Sequence, residues 1–249
     1  MGGGGPLRVY VRYTVEHPYK ICTMPELRRA LSTRFGHLIV DSGVNRFFRR
    51  MRLQEYPEGY LEWYAQRAEW LYRVFGDRVW VVLPDYPSDY RENPIPNNME
   101  RTLRNIVRFI DVKANWVVVI QARYLDYQDY LRALKVYSDL LPDYPRVAIG
   151  TLCTSAPKCY AVQVAKATRG WFPRSWIHVF GPSLRVLPEI APYIDSIDTA
   201  AYYSIPRWLR GTKPKFSEDE VARSWISRAL EAAGGRRNRS LLDYVASRR

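Results

Sequence analysis

The chain has 249 residues, and 38 basic against 25 acidic side chains give it a formal net charge of +13. Hydrophobic residues make up 47% and aromatics 14%, enough to build a large core and too much for a disordered basic tail protein. No apolar run approaches the ~20 residues that span a bilayer. The start from Met1 to Pro6 lacks the apolar stretch of a secretory signal, and Pro6 replaces the Ser or Thr of a myristoylation site, so a cytoplasmic protein is expected.

Three cysteines, Cys22, Cys153 and Cys159, form no disulfide framework; the last two are read as buried thiols rather than zinc ligands. The three histidines lie on separate elements without ligand spacing, so neither a metal nor a cofactor is expected. Seven of the 38 basic residues are lysines and the other 31 are arginines. Guanidinium forks suit phosphate oxygens and stack on bases, which favours a nucleic-acid partner. The alternative is that Arg simply replaces Lys on solvated faces.

In chain order, β-branched runs alternate with helical patterns. Strands are expected at Leu7–Tyr13, His37–Val40, Val79–Pro84, Trp116–Ile120, Arg146–Gly150, Trp176–Phe180 and Ser196–Ala200, with an eighth near Pro206–Gly211. Most are continuous apolar runs, the pattern of strands buried on both faces of a parallel sheet. Tyr60, Trp63, Tyr64, Arg67 and Leu71 define one helical face; Met99, Leu103, Ile106, Val107 and Ile110 define another, after an Asn available as N-cap. Ser217 to Glu220 reads as a capping box leading into Val221, Trp225, Ala229 and Ala233, with a stop at Gly234-Gly235. This order fits a single-domain (β/α)8 TIM barrel over residues 7–235, between a flexible start (1–6) and a basic tail (236–249). The absence of a G-x-G-x-x-G or Walker motif after any strand counts against a nucleotide-binding doubly wound sheet.

In such a barrel, polar residues at the C-terminal strand ends face the active-site mouth. Asp41, Asp85 and Asp198 stand at three of these ends, Gln121 closes a fourth, and Gly150-Thr151 a fifth. A lone Asp there is often only a loop or cap residue; three on separate strands indicate a site.

These residues also carry a resemblance. Asp41-Ser42-Gly43 resembles the D-S-G motif of the tRNA-guanine transglycosylase family, whose relatives include enzymes that insert 7-deazaguanines into DNA. Asp85-Tyr86-Pro87 followed by Asn98-Met99-Glu100-Arg101-Thr102 is similar to its substrate-binding Asp and S-M-E-R-S helix start. Ile120-Gln121 is similar to I-Q-G, Ile149-Gly150-Thr151-Leu152 to G-G-L, and His178-Val179-Phe180-Gly181 to Y-L-M-G. Asp195-Ser196-Ile197-Asp198 is similar to D-M-F-D. The matches fall in family order over residues 37 to 210. The chain departs in lacking the zinc-binding C-x-C-x-x-C…H subdomain and in having Val44-Asn45-Arg46 where the family has G-[FY]-Q. Phe47 or Phe48 is then the available base-stacking aromatic. Thr151 and Ala122 replace two family glycines.

The resemblance implies a pentosyltransferase that exchanges a guanine-type base for a 7-deazaguanine in DNA or tRNA. Asp198 would be the nucleophile and Asp41 the general acid/base. Asp85, Gln121, Gly150, Thr151, Ser42, Gly43 and Phe47 would bind the base. Three carboxylates in one mouth repel, so at least one should have a raised pKa. Arg46, Arg49, Arg50 and Arg52 after Asp41, and Arg207, Arg210, Lys213 and Lys215 after Asp198, would form a rim for the polyanion. The first of these clusters also reads as a solvated face over two core Phe residues. A homodimer is compatible with the family; a membrane partner is not expected. Two other readings stay open: a non-catalytic nucleic-acid-binding barrel, and an N-glycoside hydrolase that releases a base to water.

Overall fold

The computed structural model describes residues 6–88, 93–152, 156–199 and 217–234. Eight parallel strands close into a barrel in sequence order, the last pairing with the first. They are β1 (Arg8–Arg12), β2 (Tyr19–Thr23), β3 (His37–Asp41), β4 (Val79–Val82), β5 (Trp116–Ile120), β6 (Arg146–Ile149), β7 (Trp176–Val179) and β8 (Ser196–Thr199). Seven expected strands are present, most shorter by a residue or two at an end. The eighth is β2, not a strand near Pro206–Gly211; that stretch lies outside the described residues and is not needed for closure. Strand β2 reads Tyr-Lys-Ile-Cys-Thr and alternates between half-buried and buried positions, so it lacks the continuous apolar run that marks its neighbours.

The link from β1 to β2 explains why this strand is hidden. Parallel neighbours normally need a crossover of a dozen or more residues. Here Val11 is in register with Lys20 and Arg12 with Ile21, so β2 begins level with Tyr10 and the chain retraces only the last residues of β1. A short loop suffices, and it buries Tyr13, Val15 and His17 where a helix would otherwise cover the barrel. His17 Nε2 is 3.0 Å from the Val9 carbonyl, fastening this loop to β1.

Helices α1 (Leu27–Leu31), α2 (Tyr60–Phe75), α3 (Asn98–Phe109), α4 (Tyr127–Leu140), α5 (Lys158–Trp171), α6 (Leu187–Ile190) and α7 (Glu218–Ala232) surround the strands. Each long helix buries one stripe: Tyr64, Ala68 and Leu71 on α2, Tyr130, Ala133, Leu134 and Tyr137 on α4, Ala222, Trp225 and Ala229 on α7. Trp63 and Arg67 of the expected α2 face point outward instead, as does Val107 of α3. Asn97 precedes α3 in a left-handed conformation (φ +50°) and makes no side-chain cap; the first residue of α3, Asn98, donates its side-chain amide to the Ala122 carbonyl. The Ser217/Glu220 capping box forms as expected. Its neighbours Glu218 and Asp219 accept from the Thr14 hydroxyl and the Glu16 N–H, so α7 ties down the β1–β2 loop. Cys22 is buried, whereas Cys159, expected to be buried, is exposed at the start of α5; Cys153 lies outside the described residues. Among the described residues no helix is long and apolar enough to cross a membrane.

Side chains two apart on a strand share a face, and this sorts the barrel interior into three levels. The middle is apolar: Tyr10, Ile39, Val82, Val117, Val119 and Ala148 pack together. Below them, at the N-terminal strand ends, lie Arg8, Tyr19, His37, Trp80, Arg146 and Trp176. Above, at the C-terminal ends, the same faces carry Asp41, Gln121 and Asp198.

Candidate active site

The three carboxylates meet in the mouth. Asp41 ends β3, Asp85 follows β4 by way of Leu83-Pro84, and Asp198 lies on β8 in register with Tyr10 of β1. The Asp41 carboxyl is pushed up to about 7, first by burial and then by the charges of Asp85 and Asp198; N–H donation from Gly43 and Ser42 only partly offsets this. It is thus the raised carboxyl that a three-acid mouth requires.

Asp85 is buried and its side chain is fixed from two sides. Gln121 Nε2 donates to one oxygen at 2.7 Å, and Ser42 Oγ donates to the other at 3.3 Å. Because a carboxylate only accepts, the amide orientation of Gln121 follows: its nitrogen faces Asp85. Its carbonyl oxygen is then buried without a hydrogen-bond partner. Gly150 makes room for this side chain. A Cβ added there would lie 2.4 Å from Gln121 Nε2 and 2.8 Å from Val119 Cγ1. Thr151 beside it is fully buried, and its hydroxyl faces the Tyr160 side of the β6–α5 turn.

The segment matched to the family's helix start supports the site from behind. Thr102 Oγ1 accepts the Tyr86 N–H at 2.9 Å, and Asn105 Nδ2 donates to the Pro84 carbonyl at 2.9 Å, so α3 grips the loop carrying Asp85 on both sides. Arg101 is buried, stacks over the Tyr86 ring at 3.9 Å, pairs with Glu55 at 2.7 Å and donates to the Gln54 carbonyl.

Residues that sequence reasoning missed hold the strand ends. Tyr56 donates to the Asp85 carbonyl, Tyr60 to the Ser42 carbonyl and Tyr64 to the Val82 carbonyl, each at 2.8 Å. The spacing of four between Tyr60 and Tyr64 on α2 was the available signal, since it puts two hydroxyls on one helical face; Tyr56 precedes the helix and carried no such signal. Arg12 is another: it shares a face with Tyr10 at the upper end of β1 and pairs with Glu26 at 3.1 Å.

Phe47 and Phe48 are buried in a satellite core with Tyr56, Tyr86 and Ile95. The Phe47 ring sits 4.7 Å from Tyr60 and against Gly43, whose φ of +90° turns the chain from Asp41 into a single π-helical segment, Asn45–Arg50. Arg46, Arg49 and Arg50 on that segment and Arg52 just after it are all exposed. Arg207, Arg210, Lys213 and Lys215 lie outside the described residues.

Asp198 has its own environment. One of its oxygens accepts the Gly181 N–H at 2.8 Å and lies 3.5 Å from His178 Nε2. Among the described residues no group of three or more His, Cys, Asp or Glu could hold a metal ion.

No protein-family model matches this sequence, and no curated protein does. Among solved structures, a Rhizobium etli pyruvate carboxylase variant bearing its allosteric activator acetyl coenzyme-A is similar over 84% of this chain and 20% of that one, with 15% identity and a TM-score of 0.41. The carboxyl transferase domain of that enzyme is similar over 80% of this chain and 34% of its own, with 14% identity and a TM-score of 0.37. The chain therefore spans between a fifth and about a third of the structures it is matched to.

Proposed function

We propose that the protein is a nucleic-acid transglycosylase that exchanges a guanine-type base for a 7-deazaguanine through a covalent aspartyl–sugar intermediate. The observation that carries the reading is the convergence of Asp41, Asp85 and Asp198 with a proton retained on Asp41 near neutral pH. Supporting it are the buried, unpartnered carbonyl oxygen of Gln121 beside Asp85 and the exposed arginines on the segment after Asp41.

In this reading Asp198 attacks C1′ of the target nucleotide. A carboxylate oxygen–C1′ bond forms as the glycosidic C1′–N bond breaks, and the departing base takes the Asp41 proton. The incoming base loses its N–H proton to Asp41, attacks C1′ and returns the electron pair to the Asp198 carboxylate. A general acid that must give and then recover one proton works best with a pKa near the working pH, which is where burial and two neighbouring charges hold Asp41. Asp85 reads the N–H and amino donors of a guanine edge, and the Gln121 carbonyl oxygen accepts a further donor. The target base must leave its stack to reach this level of the barrel. Arg46, Arg49, Arg50 and Arg52 hold the backbone phosphates that keep the flipped nucleotide over the mouth.

The test is a denaturation-resistant protein–nucleic-acid adduct, sought with tRNA and with duplex DNA, together with incorporation of labelled guanine or a deazaguanine. The wild-type chain should form the adduct with one of them and Asp198→Asn with neither. Adduct formation undiminished in Asp198→Asn overturns the assignment. Free base released without incorporation would make the protein a hydrolase, and salt-sensitive binding without adduct or release would make it a binding barrel.

A further inference from the structure

Beneath Asp198, Trp176, Ser196 and His178 of β7 and β8 form a hydrogen-bonded line. Trp176 Nε1 lies 2.8 Å from Ser196 Oγ, Ser196 Oγ lies 2.8 Å from His178 Nδ1, and His178 Nε2 lies 3.5 Å from an Asp198 oxygen. The geometry is built into the sheet, because His178 and Ser196 are direct cross-strand partners and Trp176 and Asp198 lie two residues from them on the same faces. Ser196 is fully buried and His178 is 1% exposed.

The proton positions along this line follow from what each group can do. An indole N–H only donates, so Trp176 donates to Ser196. The Ser196 hydroxyl must then place its own hydrogen, and among the described residues its only other partner is His178 Nδ1. If Nδ1 carried a proton, the buried Ser196 O–H would have no acceptor, at a cost of about 1–3 kcal/mol. The hydrogen-bond line therefore favours a bare Nδ1 and a proton on Nε2 of His178. That N–H has no hydrogen bond within the protein and faces Asp198.

Resting on the transglycosylase reading, we infer that His178 is a positioning residue for the nucleophile: its otherwise unpartnered Nε2–H, 3.5 Å away, backs the Asp198 oxygen that the Gly181 N–H already holds, and leaves the other oxygen to attack C1′. Gly181 can aim its N–H there because it sits at φ +53°, in the left-handed region that glycine enters without strain. The two donors converge on a single oxygen, and among the described residues the second oxygen makes no hydrogen bond or ion pair. When the free oxygen bonds to C1′, the held oxygen becomes the ester carbonyl. When the ester breaks, the electron pair returns to a carboxylate already facing two N–H groups, which makes Asp198 a competent leaving group in the second half of the exchange.

The tautomer is measurable without substrate. Long-range proton–nitrogen correlation spectra of the uniformly labelled full chain, with the His178 signals assigned through Ser196→Ala, should show Nε2 protonated and Nδ1 bare in the wild type. Ser196→Ala should redistribute the proton between the two nitrogens. Protonation of wild-type Nδ1 overturns the inference whatever the activity proves to be. On the activity arm, His178→Leu should slow adduct formation ~10²-fold at saturating nucleic acid with KM unchanged. His178→Gln, whose amide N–H reaches the Nε2 position, should recover most of that loss. Equal rates for Leu and Gln overturn the positioning role. If the wild type forms no adduct at all, the transglycosylase reading fails while the tautomer experiment still decides the hydrogen-bond line.

Discussion

The two ends of the barrel interior face the same electrostatic problem with opposite sign. At the floor, Arg8 and Arg146 crowd around His37, and burial followed by these charges pushes the imidazole down to about 3. At the mouth, burial followed by Asp85 and Asp198 pushes Asp41 up to about 7. In each case like charges drive a neighbouring group towards its neutral form. The outcomes differ because the floor cations have somewhere to rest. Arg8 lies 4.4 Å over Trp176 and 5.3 Å from Tyr19, and Arg146 lies 5.5 Å from Trp80 and donates to the Trp116 carbonyl. Aromatic faces absorb guanidinium charge, and a histidine at about 3 does not titrate in working conditions. The carboxylates of the mouth are met by N–H and O–H donors, which offset their mutual repulsion only in part, so the Asp41 carboxyl stays raised. On the proposed reading, one end of the barrel is built to be inert and the other to react.

This contrast makes predictions that differ between the ends. The largest effect is expected at the floor. Trp80→Ala removes a ring that touches His37 at 4.4 Å and Trp176 at 5.4 Å. It should cost about 3 kcal/mol in urea unfolding while leaving adduct formation per folded molecule unchanged. Lost adduct formation with intact stability would break the division between the ends.

At the mouth, Asp41→Asn should act in the opposite direction. The folded carboxyl titrates above its unfolded value of ~3.9, so as pH rises from about 4 to 7 the unfolded chain gives up its proton first and stability falls. The cost is absent below about pH 4 and constant above about 7. The variant should therefore be more stable than wild type at pH 8, by on the order of 1–3 kcal/mol, with no gain at pH 4. Equal differences at the two pH values would show that Asp41 is not strained. Because the proposed base exchange needs this proton, the same variant should lose that activity as it gains stability.

Gly150→Ala sharpens the picture on the other wall. Its new Cβ would collide with Gln121 Nε2 and Val119 Cγ1, so Gln121 must leave Asp85, at about 1–3 kcal/mol of stability. Guanine affinity, measured by calorimetry, should fall at least ~10-fold. The smallest effect on stability, within ~0.5 kcal/mol, belongs to the double change Arg49→Ala and Arg50→Ala. That pair should instead lower the slope of nucleic-acid affinity against salt by about 2. An unchanged slope would remove the exposed segment after Asp41 from the interface.

Much of this architecture was legible because buried parallel strands announce themselves. Trp116–Ile120 is buried at all five positions and its limits match the apolar run in the sequence. Strand β2 escaped because Lys20 and Thr23 break its pattern, although Lys20 is buried beneath Thr33. The strand-end acids could be found one by one, since a carboxylate after an apolar run is a local feature. Their mutual influence, the seat of Gln121 over Gly150 and the line from Trp176 to Asp198 depend on which strands lie side by side. Register of that kind emerges only when the sheet closes. Phe47 shows the converse: a residue chosen by its place in the chain is occupied by packing against Gly43 and Tyr60.

The pairing of β8 with β1 joins the last described strand to the first, and Asp198 sits on that seam. Asp41, Asp85 and Gln121 come from adjoining strands and can be assembled by a partly closed sheet. Asp198 joins them only when the most distant segments of the barrel meet, the step with the largest loop-closure cost and the slowest expected formation. On the proposed reading, a nascent or partly unfolded chain would carry the base-reading wall without the group that attacks the sugar. Covalent capture of nucleic acid would then be reserved for molecules whose ring is complete.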